Sequence, residues 1–224
     1  MTKRYLHDLR ALLSPAEHQM FKKLSSPKRI QDFLEALPQN FSSLGESIQN
    51  PRQVLRTKKA HCIEGAIMAA AALAYHGKEP LLLDLQSSAY DQDHVVTLFK
   101  QNGRWGAISK TNHPVLRWRD PVYKSVRELA MSYFHEYFWP DAGKRLGRKT
   151  LRTYSRPFSL CRYDPKRWWA PGEGGRGDLD WLAEELDGSP HYPIAGPAQF
   201  KYVRNATALE IKAMRLMGWK KPRK

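Results

Sequence analysis

From Ile63 to Tyr75 nearly every face of the chain is apolar: Ile63, Ile67, Ala70, Leu73 and Ala74 recur at helical spacing, with Met68, Ala69, Ala71 and Ala72 between them. A helix that is apolar all round is enclosed by protein, and Gly77 supplies a stop after it. Two segments before it carry helix-start signals. "SPAEHQMFKKL" opens with Ser14 as N-cap and Pro15 at the first helical position, and "SSPKRIQDFLEAL" repeats the device with Ser26 and Pro27. Serines, Gly45 and polar residues from Phe41 to Asn50 predict a loop, and "PRQVLRTK" a short helix that leads into the buried one.

The period then changes. "PLLLDL" (80–85), "HVVTLF" (94–99) and "RWGAIS" (104–109) are short β-rich runs, the last two joined by the hairpin signal "KQNG". Ser125 with Glu128 three residues on reads as a capping box that opens a helix through "VRELAMSYFHEYF", with Leu129, Tyr133, Phe134 and Tyr137 facing inward. Beyond Pro140 the pattern weakens until "ATALEIKAMRLMGW", a last amphipathic helix. These elements predict an α+β domain over 1–140, with N-terminal helices, and a basic C-terminal extension over 141–224 that packs on or follows the core.

Composition narrows the class. The 224 residues are 42% hydrophobic, enough for a substantial core without disulfide staples, and the two cysteines, Cys62 and Cys161, show no zinc-knuckle spacing. The charged N-terminus lacks a signal-peptide h-region, and the run from Ala66 to Ala74 is too short to cross a bilayer. The chain therefore reads as cytoplasmic, with no membrane partner. Lys and Arg number 37 against 22 Asp and Glu, a formal charge of +15 that favours polyanionic contacts. The clusters "KKPRK" and "GKRLGRKTLRTYSR" (143–156) fit a solvated basic surface more readily than a recognised nucleic-acid reader. Trp168 and Trp169 beside Lys166 and Arg167 have the composition of a base-stacking platform, although such a pair more often anchors a loop.

Chemistry centres on Cys62. A lone cysteine is usually a small buried residue, yet at a helix start the orphan N–H groups, with Lys58, Lys59 and His61 close in sequence, favour a thiolate. A nucleophilic thiol needs a base from another element. His94, opening a strand, fits; His76 lies about 20 Å along the helix axis, out of reach. "DQDH" (91–94) reads as a polar turn rather than a metal cluster, and "WWAPGEGGRGDLDW" as a loop rather than a phosphate cradle.

"HCIEGA" at the head of a buried helix, then "DHVVTLF", then "GRWGAIS", resembles the core of the transglutaminase-like superfamily, with the same order in arylamine N-acetyltransferases. The resemblance spans roughly residues 50–120. It implies a papain-like fold in which a cysteine-led helix packs on an antiparallel sheet, with Cys62 as nucleophile and His94 as base. Implied with it are no metal, no cofactor, and acyl transfer or hydrolysis of an amide or peptide-like substrate through a thioester. The third position departs: the family has Asp four residues after Trp, whereas Ser109 stands there after Trp105. Ser109 offers a hydrogen bond without charge, so the orienting role is open to Asn112 or Asp120, of which Asn112 is preferred for its nearness to the sheet edge. The alternative is an inactive relative whose basic surface binds nucleic acid or an acidic protein.

Overall fold

The computed structural model describes residues 1–41, 47–172, 175 and 177–221. The predicted 41–50 loop, the glycine run after Trp169 and the end of "KKPRK" lie wholly or partly outside the described residues.

Helices α1 (Lys3–Ala11), α2 (Pro15–Lys23), α3 (Pro27–Ala36) and α4 (Pro51–Thr57) lead to the buried α5 (Cys62–Tyr75). Ser14 and Ser26 cap α2 and α3 through the N–H groups of Glu17 and Arg29. The first helix carries little local signal in the sequence, because Thr2, its N-cap, stands at the chain start and its mean hydropathy is low. Every residue of α5 from Ile63 to Tyr75 is buried. Each fully enclosed Ile, Leu or Met side chain contributes about 1.5–3 kcal/mol.

The strands are β1 (Leu81–Gln86), β2 (His94–Gln101), β3 (Arg104–Ile108), β4 (Arg119–Tyr123), β5 (Thr153–Ser155), β6 (Phe158–Ser159) and β7 (His191–Pro193), in the order β4-β3-β2-β1-β5-β7 with β6 also beside β1. All pairings between these strands are antiparallel. The β2–β3 hairpin turns through Asn102 and Gly103, both at positive φ (47° and 76°), as a two-residue type I′ turn requires.

Period-two alternation sorts the sheet into two faces. Leu82, Val95, Phe99 and Ile108 pack with α5, and Thr97 Oγ1 donates to the Ala66 carbonyl. Leu83, Leu85, Val96, Leu98 and Ala107 pack on the other side with Leu129, Ala130 and Tyr133 of α6 (Val126–Ser132). The predicted helix over 126–138 is shorter than expected, passing into a 3₁₀ turn at Phe134–Glu136, yet its four inward residues are all buried.

β5, β6 and β7 all come from beyond residue 140, and β5 and β6 both pair with the edge of β1 opposite β2. Strands from both sides of position 140 thus share one sheet. α7 (Pro165–Trp169) buries both its tryptophans completely, Trp168 donating to Tyr5 and Trp169 packing edge-on against Phe21. They are core residues and present no face for stacking bases. α8 (Asp180–Asp187), α9 (Pro197–Phe200) and α10 (Ala208–Met214) complete the chain. No helix among the described residues is long and apolar enough to cross a membrane.

Candidate active site

Cys62 is the first residue of α5, and the site is built from the way that helix starts. Glu64, fully buried at the third helical position, accepts the His61 N–H at 2.8 Å, the Gln49 N–H at 3.0 Å and the Asn40 amide nitrogen, which lies 3.0 Å from each of its oxygens. A carboxyl with that many donors is a rigid clamp, and it fixes the helix start and the backbone of Cys62. The N–H groups of Val95 and Ile63 point at the Cys62 sulfur and draw its pKa down.

Those donors do not prevail. Burial, first, and the carboxylates of Asp84 and Glu64 push the Cys62 thiol above its ordinary value. Burial also makes the imidazole of His61 a weaker base, so it supplies no fixed positive charge. Lys58 and Lys59 are exposed. The thiolate-favouring surroundings expected from the sequence are therefore outweighed: desolvation exceeds the pull of the backbone donors, and Asp84 and Glu64 act against the negative sulfur.

His94 opens β2 opposite Leu85 and is 6% exposed. Its Nε2 lies 2.8 Å from Ser109 Oγ. Burial, with Arg119 and His113 acting in the same sense, pushes its pKa down to about 4, against an opposing pull from the Leu116 carbonyl. Ser109 in turn donates its hydroxyl hydrogen to the Leu116 carbonyl at 2.6 Å. A hydroxyl has one hydrogen to give. With that hydrogen on Leu116, Ser109 Oγ accepts from His94, which places the imidazole proton on Nε2 and leaves Nδ1 with its lone pair.

Ser109 is held by a residue the sequence did not mark. It sits one position past β3, where ladder pairing has ended, and the Gln31 side chain of α3 replaces the missing strand: Oε1 accepts the Ser109 N–H and Nε2 donates to the Ser109 carbonyl, each at 2.9 Å. Gln31 is 6% exposed. Only its tertiary position gives it this role, since nothing in "KRIQDF" distinguishes one polar helical residue from another. Leu116, also unmarked, holds φ at 59°, the left-handed region that a bulky residue adopts at a cost of about 1–3 kcal/mol. Its N–H is taken by Glu136 Oε2 at 2.8 Å, and Glu136 pairs with Arg119 at 2.7 Å. Arg119 lies over the Tyr133 ring at 4.0 Å. The strained carbonyl is thereby fixed from behind by an ion pair anchored on α6.

Asn112 is committed elsewhere. Its amide donates to the Trp219 carbonyl at 2.9 Å and accepts the Trp219 N–H at 2.8 Å, and its own carbonyl takes the Gly218 N–H at 2.9 Å. Asp120 is exposed on β4. Of the three candidates for the third position, the hydrogen bond to His94 comes from Ser109. The preference for Asn112 fails because the segment after β3 turns its amide to the C-terminal tail. Beside Ser109, Lys110 is buried, donates to the Leu37 carbonyl, and is pushed down to about 8 by burial. Cys161, the second thiol, is held in a 3₁₀ turn and also raised by burial.

The two candidate groups are a half-buried neutral thiol at a helix start and an imidazole whose tautomer is set by a clamped serine. Comparison with family models and with curated proteins finds no match to the chain, so any functional reading rests on these residues and on the resemblance they carry.

Proposed function

We propose that the chain is a cysteine-dependent acyl-transfer enzyme of the transglutaminase-like kind, cleaving or exchanging an amide or peptide-like bond through a Cys62 thioester. The observation that carries this reading is the Ser109 hydroxyl on His94 Nε2, because it puts the ring proton on Nε2 and the lone pair on Nδ1, the nitrogen that acts as base. In the reaction, Cys62 Sγ attacks the substrate carbonyl as its proton passes to His94 Nδ1. The Cys62 N–H, at the helix N-terminus, donates to the oxyanion. His94 then returns the proton to the leaving amine, and water or an acceptor amine, deprotonated by the same nitrogen, releases the acyl group from sulfur. Thiol and imidazole both start neutral, so charge separates only as the bond to carbon forms.

The test is turnover of an activated aryl ester by the wild-type chain, Cys62→Ser and His94→Ala. Loss of about a hundredfold or more in both variants is expected of a general base and its nucleophile. Unchanged turnover in either variant would refute the pairing.

The raised thiol and lowered imidazole favour one other reading, a non-catalytic relative whose basic surface holds a polyanion. Salt-sensitive binding of single-stranded nucleic acid, with no ester turnover, would be its signature.

A further inference from the structure

We infer that the segment 201–221 and the turn 143–148 form one binding face for single-stranded nucleic acid. The inference rests on the reading in which the basic surface holds a polyanion, and it makes no use of Cys62. These two basic stretches are distant in sequence and meet in the fold. The Ala206 N–H donates to the Gly147 carbonyl at 2.7 Å, and Arg215 donates to the Pro140 carbonyl at 2.7 Å. Gly147 donates to the Trp139 carbonyl at 2.9 Å and closes the turn, so both contacts fall at its base. The turn presents Lys144, Arg145 and Arg148, and the segment adds Lys201, Lys212 and Lys220, all of them exposed. Asp141 and Glu210 are the acids within 140–148 and 201–221, and none of these cations is in an ion pair among the described residues.

Uncompensated charge by itself fits any solvated surface. The independent observation is aromatic: Tyr202 is 88% exposed and Trp219 40%, and neither ring meets another ring or a cation among the described residues. Open rings beside cations hold single strands, because each base has a π-face to stack while Lys and Arg neutralise the phosphates. A duplex keeps its base faces stacked inside, and an acidic protein has no bases to offer, so the open rings select a single strand. Trp219 is held for this purpose: its carbonyl accepts from the Asn112 amide at 2.9 Å, and its N–H donates to the Asn112 side-chain oxygen at 2.8 Å. Its backbone is thus fixed while its indole stays open.

The experiment is an anisotropy titration of a fluorescein-labelled oligouridylate of about 12 nucleotides with the full chain, at about 50 and about 200 mM salt. It is repeated on Cys62→Ser, on Tyr202→Ala with Trp219→Ala, on Lys144→Glu with Lys212→Glu, and on Lys3→Glu with Lys28→Glu. The last pair makes the same charge change on α1 and α3, which pack with the opposite face of the sheet from Phe200 and Val203. The substituted lysines and rings are exposed, so these variants fold. Binding is expected at the lower salt and is weakened about tenfold or more at the higher. The aromatic pair and Lys144→Glu with Lys212→Glu should each cost about fivefold or more, while Lys3→Glu with Lys28→Glu and Cys62→Ser stay within about twofold. Equal losses in the two charge-reversal pairs, unaltered binding in the aromatic pair, or tighter binding of the duplex with oligoadenylate would overturn the proposal and leave a general polyanion surface in place. Equally strong binding of poly-glutamate would overturn it in favour of an acidic protein. No binding of the oligonucleotide at the lower salt would remove the polyanion reading with it, and none of these results bears on ester turnover by Cys62.

Discussion

His94 Nε2 lies 2.8 Å from Ser109 Oγ, and the Ser109 hydroxyl hydrogen is spent on the Leu116 carbonyl. A serine thus does at this position what an uncharged amide does in papain-like enzymes: it accepts the imidazole N–H and fixes the tautomer without adding charge. Ser109→Ala is expected to lower aryl-ester turnover about tenfold, equivalent to about 1.4 kcal/mol of transition-state stabilisation. In the same assay Asn112→Ala and Asp120→Ala should leave the rate within about twofold. A larger loss at Asn112 than at Ser109 would assign the orienting role to the amide after all.

Gln31 substitutes for a strand partner, so its removal should act on both stability and rate. Gln31→Leu leaves the Ser109 N–H and carbonyl without partners in a buried setting, which costs about 1–3 kcal/mol for each group left unsatisfied. Denaturant titration should show the lower midpoint. A rate defect in Gln31→Leu that is absent once Ser109→Ala is also present would show that Gln31 acts through Ser109.

The pH dependence of Cys62 has a definite sign. Burial raises the thiol, so the thiolate population grows only as pH climbs past the ordinary cysteine range. Alkylation of Cys62 by iodoacetamide should rise steadily through pH 8 and 9 with no plateau below, read as the difference between wild type and Cys62→Ser to exclude Cys161. A plateau below pH 7 would mean an activated resting thiolate.

His94 makes folding sensitive to acid. Its folded pKa, about 4, lies below the ordinary 6.5, so the unfolded chain binds the proton more readily. The stability that follows is fully present above pH 6.5 and is lost as pH falls from there through about 4, to an extent on the order of 3 kcal/mol. His94→Gln should flatten that window of the Tm-against-pH curve. His191 works in the opposite sense, since its hydrogen bond to Asp84 raises its pKa and that stability is lost as pH rises. An unaltered acid limb in His94→Gln would count against a buried neutral imidazole.

Gly65 marks where α5 meets the segment after β3. A Cβ at that position would lie 2.4 Å from Lys110 Cβ, and Lys110 is tied to the Leu37 carbonyl, so neither side can yield cheaply. Gly65→Ala should destabilise the protein by about 1–3 kcal/mol despite its better helix propensity. Chemical denaturation measures it directly, and a neutral or stabilising result would mean that the contact relaxes.

Much of this arrangement was legible in the sequence, and the parts that were not share a cause. α2, α3 and α5 were marked by Ser-Pro starts and by an all-apolar run, and the β2–β3 hairpin by Asn-Gly, because those signals are local. β5, β6 and β7 are two or three residues long and pair with strands distant in sequence, β5 and β6 with β1 and β7 with β5, so no period could accumulate within them. Within the site, Cys62 and His94 could be picked out by residue type and by the order of motifs. Gln31, the Leu116 carbonyl and Glu136 could not, because their roles come from where separate elements meet. The expected thiolate failed for a related reason: the sequence displays Lys58 and Lys59 near Cys62, but only the fold reveals that they face solvent while Asp84 and Glu64 approach the sulfur.

The most direct measurement is the site of acylation. The full chain is mixed with p-nitrophenyl acetate, quenched in acid within the first turnover, and mapped by peptide mass spectrometry, with Cys161 as the internal control thiol. Cys62 as nucleophile requires one acetyl group per chain on Cys62, accumulating as a burst that His94→Ala slows by about a hundredfold. Acetylation spread equally over Cys62 and Cys161, or unchanged on loss of His94, would contradict it.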